Sequence, residues 1–195
     1  MNILIDDLPH SVLVGGAEYP IDSGYRGMVQ FELDMQNHAL SETEKVVKGL
    51  NSFFTGRVPG DIAGAVDALI WFYTCGRKQD APGHAEGGTP ARQIYSFEHD
   101  ADYIYAAFLD QYGLDLQECA DLHWWKFKAM FKALRQENEI VKIMGYRTIT
   151  IDNNMSDSQK RFYAKMKEVH RLPLQEDEAE KLKEIERILM GDGKL

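Results

Sequence analysis

The sequence predicts a mainly α protein, a single helical domain over residues 1–195 with a small N-terminal β-hairpin. Three observations carry this. Apolar residues recur at helical spacing along most of the chain. Ser41 with Glu44, and Ser156 with Gln159, form capping boxes that mark helix starts. Only residues 12–21 join a β-branched run to a tight-turn dipeptide. The chain is long enough to bury a core, and its 44% hydrophobic and 27% charged residues are those of a globular protein.

Taken in order, Val12-Leu13-Val14, the Gly15-Gly16 turn and Glu18–Ile21 make the hairpin, with Pro20 confining the return strand to an edge. Between Asp22 and Met35, Val29, Phe31 and Leu33 alternate as in a strand, while Tyr25, Val29 and Leu33 fit a helix face capped by Asp22. The helix is the reading taken. The Ser41 box opens a helix with Val46, Val47, Leu50, Phe53 and Phe54 on its apolar face, ended by a left-handed Gly56. Asp61 caps the next, with Ile62, Val66, Leu69, Ile70 and Tyr73 inward, Gly64 at a close helix approach and Gly76 as the stop.

Residues 76–93 are rich in glycine, proline and charge, and read as a flexible loop between two helical halves. Beyond it, Asp100 caps a helix ended by Gly113. A longer helix follows, with Leu122, Trp124, Phe127, Met130, Phe131 and Leu134 along its face. Lys128, Lys132 and Arg135, at i, i+4 and i+7, make a basic strip on its flank. A short helix from Glu139 to Met144 stops at Gly145, and Thr148–Ile151 reads as an extended connector that could pair with the hairpin. The Ser156 box opens a basic helix broken by Pro173. A last helix carries acids at Glu176, Asp177 and Glu178 and a stripe of Leu182, Ile185, Ile188 and Leu189.

The net charge of −9 disfavours a generic nucleic-acid or anionic-membrane binder. Cys75 and Cys119 lie far apart and outside any CxxC pattern, which fits reduced thiols in a cytoplasm. No basic-then-apolar leader opens the chain and no run approaches a membrane span, so a cytosolic protein is expected. No phosphate-cradling GxxxxGK or GxGxxG loop and no GxSxG elbow is present. His99, Asp100 and Asp102 sit where capping and the helix dipole explain them, and Cys119 with His123 lacks the second pair a zinc site needs. The expectation is therefore no catalytic residue, no metal and no cofactor.

Trp124-Trp125 is the unusual dipeptide. Adjacent residues point about 100° apart on a helix, so one indole fills the core and the other packs at its boundary, its N–H hydrogen-bonded. The competing reading makes Trp125, beside Lys128, Lys132 and Arg135, an anchor for a partner protein.

The segments DADYIYAAF, YGLDL, LHWWKFKAMF and KIMGYR together resemble the tailed-phage family called gene product fifteen, found in phages and prophages of Gram-positive bacteria. Ile21–Arg26 resembles the family's I-x-T-D-F/Y-R segment, with Gly24 at the usual acid. Trp71-Phe72-Tyr73 with Cys75-Gly76, and the lysine-rich stretch after Met155, extend the likeness over nearly the whole chain. The resemblance implies a protein encoded among siphovirus tail genes, between the major tail protein and the tape-measure protein. In placement and size it is similar to tail assembly chaperones, which keep the tape measure soluble until tail tube subunits polymerise around it. It implies phage tail proteins as partners, the tape-measure protein first, and brings no catalytic residue. A structural tail or head–tail connector component retained in the virion is the alternative it leaves.

Overall fold

A computed structural model describes residues 2–77 and 93–173. Most of the expected loop 76–93 and the whole of the last expected helix lie outside the described residues. Among the described residues nine elements follow in order: β1 (Ser11–Val14), β2 (Ala17–Pro20), α1 (Tyr25–Gln36), α2 (Glu42–Phe53), α3 (Ile62–Tyr73), α4 (Ala101–Tyr112), α5 (Trp124–Lys132), α6 (Glu139–Thr148) and α7 (Asp157–Val169). The mainly α class with one N-terminal hairpin is what the sequence predicts. By internal contacts the chain divides into two compact units, Met1–Met144 and Gly145–Leu195.

In the first unit, Gly15 and Gly16 both take positive φ, as a two-residue hairpin turn with the right-handed strand twist requires. Ser11 pairs with Pro20 and Val14 with Ala17. Val12 and Val14 are buried on the face that packs on α3. Gly64 of α3 sits there, where an added Cβ would stand 3.1 Å from a Val14 methyl and 2.5 Å from the Asp61 carboxylate. The close approach expected at Gly64 is thus to the hairpin and to its own cap, and the helix–helix contact falls at Gly49 instead. A Cβ on Gly49 would stand 2.9 Å from the Phe31 ring and 3.4 Å from Leu69.

Helix α1 settles the ambiguous 22–35 stretch, but its N-cap is Gly24, not Asp22; the Asp22 carboxylate instead accepts the Gly24 N–H at 2.9 Å. The Ser41 capping box is present, and α2 buries Lys45, Gly49, Leu50 and Phe53. Val46 and Val47, expected inside, are exposed. Phe54 is the C-cap in extended conformation, so Gly56 plays no left-handed role. Asp61 caps α3 through the Gly64 N–H, and the helix buries Ala65, Leu69 and Phe72 while Ile62 and Ile70 face out.

Gly113 ends α4 in the left-handed conformation, as expected. Asp100 is its N-cap residue, although its carboxylate accepts the Ser96 N–H at 2.8 Å. Helix α5 is shorter than its apolar stripe: Leu122 precedes it and Leu134 follows it. Phe127 is buried and stacked on Phe108 at 4.9 Å, Tyr25 at 5.1 Å, Trp124 at 5.6 Å and Phe131 at 6.2 Å.

Helix α6 runs through Gly145 to Thr148 instead of stopping. Thr148 therefore ends a helix, and among the described residues the sheet has two strands, both in the hairpin. The second unit carries the second capping box, Ser156 with Gln159. There the Arg147 guanidinium donates to the His170 carbonyl at 2.6 Å, Tyr146 stacks on His170 at 5.7 Å and Phe162 meets Tyr146 edge-on. Helix α7 ends at Val169, ahead of Pro173.

Candidate functional site

The last four carbonyls of a helix have no partner within it. At the end of α3 each finds one. Ile70 O accepts the Thr74 N–H at 2.9 Å, and Trp71 O accepts the Gly76 N–H at 2.8 Å. Phe72 O accepts the Trp125 indole N–H at 2.8 Å beside the Cys75 N–H, and Tyr73 O accepts the Trp124 indole N–H at 2.9 Å. The two tryptophans, splayed by their 100° offset, thus reach adjacent carbonyls of one helix end. Both are buried, at 0% and 5% exposure, so neither projects from the surface. The tight turn that follows α3 places Cys75 and Gly76 at φ +58° and +67°, and a Cβ on Gly76 would stand 3.0 Å from the Trp125 ring.

His123 fixes the start of α5. Its Nδ1 accepts the Trp125 N–H at 3.1 Å and its Nε2 faces the Pro9 carbonyl at 3.0 Å, so the hydrogen sits on Nε2 and the ring is neutral. Burial pushes the His123 pKa below its ordinary 6.5.

Beside these tryptophans lies a cavity of about 630 Å³. Ile94, Phe131, Leu134, Val141 and Met144 give it apolar walls, and Trp125 forms part of its surface. Its cations are Arg77, Lys128 and Lys132, and no described residue lining it carries a carboxylate. Lys128 is half-buried and its ammonium lies over three rings, Trp124 at 5.1 Å, Tyr73 at 5.8 Å and Tyr95 at 5.9 Å. Those ring faces favour a cation and hold it in place. Behind them the Tyr73 hydroxyl donates at 2.6 Å to the buried Glu32 carboxylate. Burial first, then the charge of Glu32 and a hydrogen bond to it, push both tyrosine hydroxyls above the ordinary phenol range. Burial likewise raises the Cys75 thiol, against the pull of Lys128 and Arg77. A protonated thiol and protonated phenols are not nucleophiles.

Of the four residues singled out in the sequence, Trp125, Lys128 and Lys132 line this cavity. Arg135 does not: α5 ends at Lys132, so the basic strip is broken before Arg135, whose backbone N–H donates to the Gln111 side chain at 2.9 Å. Sequence reasoning missed Arg77, inside the glycine- and charge-rich breach, and Ile94 and Tyr95 just beyond it, where no period points to them. Elsewhere, the His99 side chain is exposed, its ring 3.9 Å from the Glu98 carboxylate. Among the described residues no group of three or more His, Cys, Asp or Glu side chains is placed to hold a metal.

Three of the segments that carry the family likeness meet in the first unit. Tyr25 and Arg26 both donate to the Leu116 carbonyl, at 2.6 and 2.8 Å, joining the I-x-x-x-Y-R segment to YGLDL. Ser23 O accepts the Trp124 N–H and Leu122 O accepts the Tyr25 N–H, joining the same segment to LHWWKF. The profile of the family described as bacteriophage Gp15 protein matches residues 4–172. The chain belongs to that family. It is accordingly a bacteriophage protein of the structural or morphogenesis kind, and membership implies interaction with other phage proteins. No curated protein and no solved structure matches the chain. Among the described residues of this family member, no helix is long and apolar enough to cross a membrane.

Proposed function

We propose that this chain is a tail assembly chaperone that binds the tape-measure protein non-covalently in the host cytoplasm, before the tail tube closes around it. The observation that supports this most is the cavity itself. Apolar walls with cations among them, in a member of a bacteriophage structural or morphogenesis family, suit a helix laid against the surface with its apolar side chains inserted. The cavity falls within the roughly 300–1,000 Å³ of pockets that enclose small groups, so it receives side chains and not a whole helix. Trp125 then serves as a wall held by α3, while Lys128 and Lys132 supply charge; Arg135 lies outside the proposed contact.

Co-expression tests the proposal. Tape-measure protein made with this chain is expected in the soluble fraction, and made alone in the pellet. Equal solubility in both would refute the chaperone reading. Mass spectrometry of purified virions separates it from a retained tail or connector subunit: the chaperone reading expects the chain to be absent from mature particles.

A further inference from the structure

We infer that the cavity is selective for an acidic apolar segment, one whose bulky apolar side chains enter between Phe131, Leu134 and Val141 while its carboxylates pair with Arg77 and Lys132. The inference deepens the proposed function and rests on it for the identity of the partner, but not for the chemistry of the site. Charge complementarity carries it. In a chain of net charge −9, the described lining of this cavity holds three cations and no carboxylate. No ion pair is found for Arg77 or Lys132 among the described residues, as for most of the chain's described cations, so both are available to a partner. Lys128 is committed to the faces of Trp124, Tyr73 and Tyr95, with Glu32 beyond the Tyr73 hydroxyl. It adds positive potential, and direct pairing falls to the two exposed cations.

The acidity of the whole chain does not oppose this at close range. Exposed charges more than about 8 Å apart are largely screened at physiological ionic strength, so the side chains at the cavity decide. A nucleic acid would meet the same cations, but three are few for a phosphate backbone, and the apolar walls have no use for one. A peptide matches both features.

The test uses the full chain and two labelled amphipathic peptides with the same leucine and phenylalanine spacing, one with a glutamate polar face and one with lysine. Anisotropy is expected to show the glutamate peptide binding at least about tenfold tighter, with the preference lost in the Arg77→Glu, Lys132→Glu double variant and at high salt. Both substitutions are at exposed side chains. Ala129→Trp, at an exposed position lining the cavity, is expected to block the glutamate peptide without entering the core. Equal binding of the two peptides, binding of neither, indifference to these variants, or displacement by a single-stranded oligonucleotide would each overturn the inference. Overlapping tape-measure peptides keep the two readings apart. If the glutamate peptide binds and no tape-measure peptide does, the partner assignment fails and the selectivity stands. If tape-measure peptides bind regardless of charge, the selectivity fails and the partner assignment stands.

Discussion

Trp124 and Trp125 show what single hydrogen bonds do at a helix end. The Phe72 carbonyl keeps the Cys75 N–H when the Trp125 indole is removed, whereas the Tyr73 carbonyl, without the Trp124 indole, keeps the weak Cys75 thiol donor at 4.0 Å. An unsatisfied buried carbonyl costs about 1–3 kcal/mol. Trp124→Phe is therefore expected to lower the urea midpoint more than Trp125→Phe, although the two changes remove the same atoms. A larger loss from Trp125→Phe would contradict the capping account. His123 sets a pH dependence by the same logic. Burial, with lesser contributions from the charges of His10 and Lys126, lowers its pKa, and the Pro9 carbonyl only partly offsets this. The unfolded chain then takes up the proton more readily, so the stability is complete above about pH 6.5 and declines as pH falls through that value towards the lowered folded pKa. Thermal midpoints between pH 7.5 and 5.5 are expected to fall in the native chain and to flatten in His123→Asn, whose amide oxygen can still accept the Trp125 N–H.

Helix contacts separate what the sequence makes legible from what it hides. Both capping boxes, the Asp61 cap, the paired-glycine turn and the Gly113 stop were readable, because each is a local arrangement that one or two residue types satisfy. The inward face of α2 was not. Gly49 carries no hydropathy signal, yet a Cβ there would stand 2.9 Å from the Phe31 ring, and Lys45 is buried along its stem while its ammonium pairs with Glu42 at 2.8 Å. Gly49→Ala is accordingly expected to cost about 1–3 kcal/mol of unfolding free energy, read by chemical denaturation. Gly145 misled in the opposite direction. Nothing crowds an added Cβ there and it needs no positive φ, so α6 carries it at the modest cost of an internal glycine, about 1 kcal/mol. Of the cavity, Lys128 and Lys132 were readable from their i, i+4 spacing. Arg77 lies at the start of an aperiodic stretch and Tyr95 just past its end, and only the folded arrangement brings them to α5.

At the scale of the whole molecule, three of the family-like segments are bonded to one another in the first unit, and the cavity beside α5 is the surface we propose for a partner. The hydrogen bonds joining Ser23–Arg26 to Leu116 and Leu122–Trp124 lock the frame. That frame sets Lys132 and Arg77 at an apolar cavity with no described carboxylate among its lining residues. The most direct measurement is quantitative mass spectrometry of the tagged full chain captured from phage-producing cells, alongside its Lys132→Glu variant. Tape-measure protein is predicted as the major partner, with recovery reduced several-fold in the variant. Its absence from the native capture, or equal recovery from both, would contradict the account.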